Sequence, residues 1–249
     1  MRTQRRLRFS GGLLAAASIW LAFAPQGAPA RAADGEFNLS PGIESGEPAE
    51  PTPAFARIRY GEGELRVVRE AGYDETAGVN DAVFTGDEVV TDARQRAELQ
   101  LPDGTLVRLD GSTRLTVYDI GEPDQASRSV LGIAHGALQA DVAEARGGEA
   151  FRIDTPSASI YPLEPSSLRV DVERGDEVLV TVSRGRIEVA GTDGSVLVTT
   201  GERTRIRPGR SPLQPWDYLL ASRDGFDRWV VDRDEAYALR QRPGDEYDD

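Results

Sequence analysis

The sequence predicts an all-β protein, a two-sheet sandwich or a β-roll or solenoid-like domain of about a dozen short strands, with one C-terminal α-helix. Three observations predict it. Short alternations such as "RIRYGEGELRVV", "AELQLPDGTLVRLDGSTRLTV" and "EVLVTVSRGRIEVAGTDGSVLVTT" recur along the chain. Period-two alternation rich in β-branched residues marks strands with one buried face. Turn residues divide these runs at short intervals: Asp103-Gly104, Asp110-Gly111 and Asp193-Gly194 suit tight turns that need positive φ. One stretch, "DGFDRWVVDRDEAYALRQRP" from Asp224 to Pro243, reads instead as a short, charged, aromatic helix.

Residues 1–32 read as a secretory signal peptide. The start "MRTQRRLRFS" is basic, "GGLLAAASIWLAFA" is apolar, and cuts after Ala30 or Ala32 fit the small-residue rule. The apolar run is shorter than the ~20 residues a comfortable membrane span needs; the competing reading is an anchor that is never cleaved. Residues 33–53 are rich in Pro, Gly and Glu and poor in apolar groups, so they read as a disordered linker.

The β domain spans 54–210. In "LQLPDGTLVRL", Leu99, Leu101, Leu106 and Leu109 are expected to face the core. "GDEVVT" at Gly86 and "GDEVLVT" at Gly175 echo one another; a Gly-Asp turn before a strand explains both, and a duplicated half-domain is the alternative. Residues 211–222 form a connector with two large aromatics, Trp216 and Tyr218.

The helix spans 223–240. Phe226, Trp229, Val230 and Tyr237 share one face, Ser222 or Asp224 caps the first turn, and Pro243 ends it. Asp224–Arg228 and Trp229–Arg233 are placed to interact along the helix, and Asp227, Asp232 and Asp234 are expected to face water. The tail, 241–249, is acidic.

Charge and composition exclude whole classes of function. The 249 residues carry a formal charge of −13, and removal of residues 1–32, with five arginines and no acid, makes it about −18. Such a surface repels phosphate backbones and anionic lipid, so no nucleic-acid partner is expected, nor stable membrane insertion after processing. The chain has no cysteine, so an exported form is held by its core alone. It has no lysine, which removes Schiff-base and P-loop chemistry.

The single histidine, His135, precedes a glycine at a strand entrance with no nucleophile elbow in the chain, and reads as a turn residue. One histidine without cysteine makes no zinc site, and no Asp-x-Asp-x-Asp-Gly calcium loop occurs. The abundant carboxylates read as a solvated face rather than a hydrolytic pair. No catalytic residue, cofactor or metal is expected.

The stretch "VNDAVFTGDEVVTDARQRAELQLPDGTLVRLDGSTRLTV" resembles the FecR domain. The residues that carry the resemblance are Gly86, Asp87, Thr91, Leu99, Leu101, Asp103, Gly104 and Thr105. "HGALQADV", "FRIDTPSASI", "VSRGRIEV" and "TTGERTRI" follow in the family's order, so the resemblance covers about Ala54 to Arg207. "FDRWVVDRDEAY" resembles a segment found after the FecR domain in a group of secreted bacterial proteins.

The resemblance implies a non-enzymatic β module, periplasmic or secreted, in a Gram-negative envelope. Its best-known relatives are iron-uptake regulators that control a sigma factor from the cytoplasmic side. Here ten residues precede the apolar run, so that output is not carried over.

The function expected is binding or regulation in envelope signalling, with an envelope protein or cell-wall component as partner. The alternative is a carbohydrate- or peptidoglycan-binding module. Candidate partner contacts are Trp216, Tyr218, Phe226 and Trp229, and the structural turns are Gly86, Asp87, Asp103 and Gly104. Phe226 and Trp229 are also the residues expected to close the helix onto the β domain, as a lid. Trp216 is then the better ligand contact.

Overall fold

The computed structural model describes residues 53–122, 128–218 and 224–240. The expected signal peptide, all but the end of the linker, Ser222 and the acidic tail lie outside the described residues. Among the described residues there are seventeen strands, β1 to β17 in chain order, and one α-helix, α1 (Gly225–Arg240). The all-β class with a single C-terminal helix is as the sequence predicts. The strand number exceeds a dozen because short segments such as "DETA" and "WD" also join ladders.

The strands form two sheets. The first has the order β4 (Ala82–Val83), β1 (Ala56–Gly61), β6 (Ala97–Gln100), β7 (Leu106–Leu109), β9 (Ser129–Val142), β12 (Ser166–Val172), β13 (Val178–Arg184), β16 (Glu202–Ile206) and β17 (Trp216–Asp217). The second has the order β3 (Asp74–Ala77), β2 (Leu65–Val68), β5 (Glu88–Val90), β8 (Arg114–Asp119), β9, β10 (Phe151–Asp154), β11 (Ser159–Pro162), β14 (Arg186–Gly191) and β15 (Gly194–Thr199). Every pairing is antiparallel except β9 with β10.

Strand β9 belongs to both sheets, with its first half between β8 and β10 and its second between β7 and β12. The crossing falls at Gly136, whose φ is 95°. A Cβ there would lie 2.4 Å from Thr113 Oγ1. Glycine is needed at this point both for the backbone angle and for the close approach. His135 therefore sits in a strand bulge, not a turn, and its side chain is exposed.

Alternate residues of both sheets point into one core. Ile58, Leu99, Val107, Leu138, Val170 and Val180 come from the first sheet and Val67, Val89, Leu115, Ile153, Val189 and Val198 from the second. Each such side chain contributes ~1.5–3 kcal/mol on burial, and no disulfide is present to share the work. The expected inward set needs one correction. Leu99, Leu101 and Leu109 are buried, but Leu106 is only partly so. The Asp103-Gly104 turn shifts the phase, so Val107 and Leu109 point inward while Leu106 and Arg108 point out.

Gly104 has φ 88° in that turn, and Asp103 accepts hydrogen bonds from the Thr105 N–H and hydroxyl, both at 2.9 Å. An added Cβ would meet only Ala143 Cβ, at 4.0 Å. Gly104→Val therefore costs backbone strain alone, about 1–3 kcal/mol, read as a lower urea midpoint with an unchanged m-value. At Asp110-Gly111 the positive φ falls instead on Ser112, at 57°. Gly111 is required for space, since its Cβ would lie 2.5 Å from Ala93 O.

The Gly-Asp echo separates into two uses. Gly86 has φ 91°, and Asp87 is a buried clamp that accepts from the Phe84 N–H at 2.8 Å and from Arg69 Nη1 at 2.7 Å. Gly175 and Asp176 both have positive φ, at 77° and 62°. The strands that follow lie in different sheets, β5 in the second and β13 in the first, so the echo is a turn rather than a repeat.

Candidate functional site

Helix α1 lies on the outer face of the first sheet. Asp224 caps it, with Oδ1 accepting the Phe226 and Asp227 N–H groups at 2.9 Å each. Asp227 Oδ2 accepts the Asp224 N–H in return at 3.2 Å, which closes a capping box. Phe226, Trp229 and Val230 are buried against Ala137 of β9 and Tyr60 of β1. Arginines cover the rings: Arg96 over Trp229 at 5.7 Å, Arg169 over Phe226 at 5.3 Å and Arg233 over Tyr60 at 4.1 Å. Arg233 thus stacks on Tyr60 rather than on Trp229 as the helix spacing suggested.

Beyond the aromatic end, the interface is ionic. Arg108 on β7 is fully buried and bonds Glu98 of β6 at 2.8 Å, Asp141 of β9 at 2.5 Å and Asp234 of α1 at 2.5 Å. Arg233 of α1 reaches the same Glu98 at 3.2 Å. Burial alone would lower the Arg108 pKa, but Glu98, Asp141 and Asp234 hold it above its ordinary value. Burial pushes the Asp234 carboxyl up, against the pull of Arg108.

A second arginine, Arg169 of β12, binds Asp171 on its own strand and Asp224 and Asp227 on the helix, at 2.7–2.8 Å. Burial raises the Asp171 pKa, helped by the charges of Asp224 and Asp227 and opposed by Arg169. Asp227 therefore does not face water as expected; Asp234 is exposed as expected but bonds Arg108, and Asp232 is exposed without an ion pair to the sheet. The outer face of a half-buried sheet looks solvated in a sequence, and here the helix covers it.

The Arg169 guanidinium and the capping N–H groups hold Asp224 at a pKa of about 2, below its ordinary 3.8. Its contribution is complete above about pH 4 and fades as pH falls towards 2. Asp224→Ala is expected to cost ~0.5–2 kcal/mol at neutral pH as a lost cap. The gap between variant and parent should narrow in urea melts below pH 3.

A cleft of about 410 Å³ opens beside the helix, lined by Gln139, Ser167, Asp171, Thr181, Arg203 and Tyr218 among others. Arg203 stacks on Tyr218 at 3.8 Å, and its Nε is buried without a hydrogen-bond partner. Trp216, 40% exposed, stands nearby on the edge strand β17, which the expected connector contains. Among the described residues, no group of three or more His, Cys, Asp and Glu side chains could hold a metal, and no helix is long and apolar enough to cross a membrane.

Residues 87–206 match the family model described as FecR protein. The chain carries a FecR domain. The match starts at Asp87, the buried clamp, and ends at Ile206, the last residue of β16. It is shorter than the cover from Ala54 that the motifs suggested. The strands β1 to β4 before the FecR domain are nonetheless hydrogen-bonded into its sheets, through β6 and β5.

The fold is also similar to two crystal structures of a "putative anti-sigma factor" from Parabacteroides distasonis. One, at 2.50 Å resolution, is 19% identical, with 52% of this chain and 59% of that chain covered and a TM-score of 0.44. The other, at 1.65 Å, is 17% identical, with 61% and 74% covered and a TM-score of 0.45. The chain thus spans under two thirds of the first one's length. A search of the curated proteins finds no match.

Gly86 lies just before the match, and within it Asp87, Asp103 and Gly104 shape turns and do not line the cleft beside α1. The four candidate contacts lie beyond its C-terminal end, and they separate. Phe226 and Trp229 are spent on the sheet and are not accessible to a partner. Tyr218 is partly covered by Arg203, and Trp216 is the exposed one. The sequence reading missed Arg108, Glu98 and Arg169. Their signal was indirect: the helix face that begins Phe226, Trp229, Val230 continues with Arg233 and Asp234, charges that need partners on whatever the helix covers.

Proposed function

We propose that the protein is an exported, non-enzymatic FecR module that binds an envelope protein in a regulatory or signalling role. The observation that carries this reading is the FecR domain at residues 87–206. The basic, then apolar, then small-residue start supports export to the periplasm or beyond. Helix α1 is docked through Phe226, Trp229 and Val230 and set in register by ion pairs of Asp227, Arg233 and Asp234 with the sheet, which supports a β module closed by its own helix. The contact surface is the edge beside α1, where Trp216 is exposed on β17.

The test is a photo-reactive amino acid at position 216 in living cells, with one at the exposed Val79 as control. A single envelope protein captured at 216 and absent at 79 is the expected result. Equal labelling at both positions would remove Trp216 as a contact. Cell fractionation with mass measurement of the N-terminus tests export, and a product that begins at Met1 in the cytoplasm would overturn it.

A second reading, a carbohydrate- or peptidoglycan-binding module, is favoured by the cleft itself. Gln139, Ser167 and Thr181 offer hydrogen bonds beside Tyr218 and Arg203, and polar groups flanked by an aromatic suit a sugar ring. Co-sedimentation with purified peptidoglycan, lost in Tyr218→Ala, would establish it.

A further inference from the structure

Cross-strand pairing lines up Arg203 of β16, Thr181 of β13, Arg169 of β12 and Gln139 of β9 in one row on the outer face of the first sheet. All four line the cleft of about 410 Å³ beside α1, a volume suited to a small ligand. Neighbouring strands are about 4.8 Å apart, so the backbones at Arg203 and Arg169 are roughly 10 Å apart with Thr181 midway.

The two ends of this row carry opposite charges that lack partners. At one end, three carboxylates (Asp171, Asp224 and Asp227) share the single guanidinium of Arg169, which leaves two negative charges over. Burial raises the Asp171 pKa, and the charges of Asp224 and Asp227 add to it against the pull of Arg169. A second cation would relieve that repulsion. At the other end, Arg203 pairs with no carboxylate among the described residues, whereas Arg205 on the same strand pairs with Glu177 at 3.2 Å. The Arg203 guanidinium stacks on Tyr218 at 3.8 Å, and its Nε is buried without a partner. A stacked guanidinium keeps its in-plane N–H groups free for a carboxylate.

We propose that this cleft binds a short peptide by its two ends, with the terminal carboxylate on Arg203 and the terminal ammonium among Asp171, Asp224 and Asp227. Charge selects the occupant. A simple anion would meet the surplus of carboxylates, a simple cation would meet Arg203, and a neutral sugar would leave both ends unanswered. A dipolar molecule answers both. An extended peptide advances ~3.3–3.6 Å per residue, so two or three residues span the row. Thr181 then lies beneath the middle of the peptide, and Val230 and Val231 of α1 with Leu179 of β13 give its side chains an apolar wall. Such a ligand is separate from the envelope protein expected at Trp216.

The experiment is calorimetric titration of the purified protein with the tripeptide Ala-Leu-Ala, up to about 20 mM, which reveals even millimolar binding. Its N-acetyl and C-amide forms and a neutral N-acetylglucosamine trimer are run beside it. The free tripeptide should bind with a Kd of about 1 mM or tighter. Blocking either end should weaken it about tenfold, the worth of one hydrogen bond to a charged group.

Arg203→Gln should abolish the preference for the free carboxylate, so that the acid and amide forms bind alike. Asp171→Asn should weaken the preference for the free amine in the same way. Misfolding produces neither pattern, and circular dichroism checks the fold of both variants. A free tripeptide that does not bind overturns the proposal, and so does a preference for the carboxylate that survives in Arg203→Gln. Tighter binding of the trimer than of the tripeptide, unchanged in Arg203→Gln, also overturns it and gives the cleft to a sugar.

Discussion

Replacing Arg108 by methionine is expected to lower the stability of the folded chain by about 3–5 kcal/mol, the cost of leaving a buried charge without its partner. Arg108 is fully buried, and Glu98 beside it is 3% exposed. Without the guanidinium, Glu98 keeps only Arg233, while Asp141 and Asp234 face each other and Glu98 across a methionine side chain. The size of the loss depends on which partner is touched. Asp234 is 56% exposed, so Asp234→Asn removes a largely solvated pair and costs about 1 kcal/mol or less.

A pair of matched changes separates the charge from the packing. Arg108→Met with Glu98→Gln should recover part of the loss, because the amide needs no counter-ion. Urea melts of the four proteins, with m-values compared, check this. A loss for Arg108→Met no larger than that for Asp234→Asn would show that water reaches the cluster.

The cluster also shows where a sequence can be read and where it cannot. The strands were legible because their inward residues, such as Val107 and Leu109 or Val180 and Val182, obey period two against one core. The docking of α1 was legible from Phe226, Trp229 and Val230, three apolar groups at helix spacing that need a surface. The outer face of the first sheet was not. Glu98, Arg108 and Arg169 alternate with apolar residues as any wet face does, and only the three-dimensional position of α1 makes Arg108 a buried residue.

Turn chemistry was half legible. Asp103-Gly104 and Asp110-Gly111 look alike in sequence, yet positive φ falls on Gly104 in one and on Ser112 in the other. The difference lies in what each glycine approaches, open space in the first and the Ala93 carbonyl in the second. The family's order of motifs pointed to the domain, while β17 escaped because two residues carry no period.

Trp229→Ala is expected to cost about 3–5 kcal/mol and to loosen α1 from the sheet. A helix of this length has little stability of its own in water, so the sheet must supply it. The ionic contacts alone are a weak source. Each of them takes the sheet's own charge out of water before it returns any energy, and a pair buried in protein often does no more than break even. The net attraction therefore rests on the few apolar groups at the N-terminal end of the helix: Phe226, Trp229 and Val230 against Tyr60 and Ala137.

Trp229 is the centre of that patch, stacked on Phe226 with ring centroids 6.0 Å apart and tilted against Tyr60 at the same distance. Its loss leaves Phe226 and Tyr60 without a common neighbour and Arg96 without its ring. The ion pairs then become specificity rather than strength. Arg108 with Asp234 and Arg169 with Asp224 and Asp227 set the register of α1, but they cannot hold it once the aromatic end is gone. Limited proteolysis makes the difference visible. In Trp229→Ala, α1 should be cut well before the β domain unfolds, whereas in Asp234→Asn it should stay as resistant as in the parent. Resistance of α1 in both variants would move the source of its docking energy from the rings to the charges.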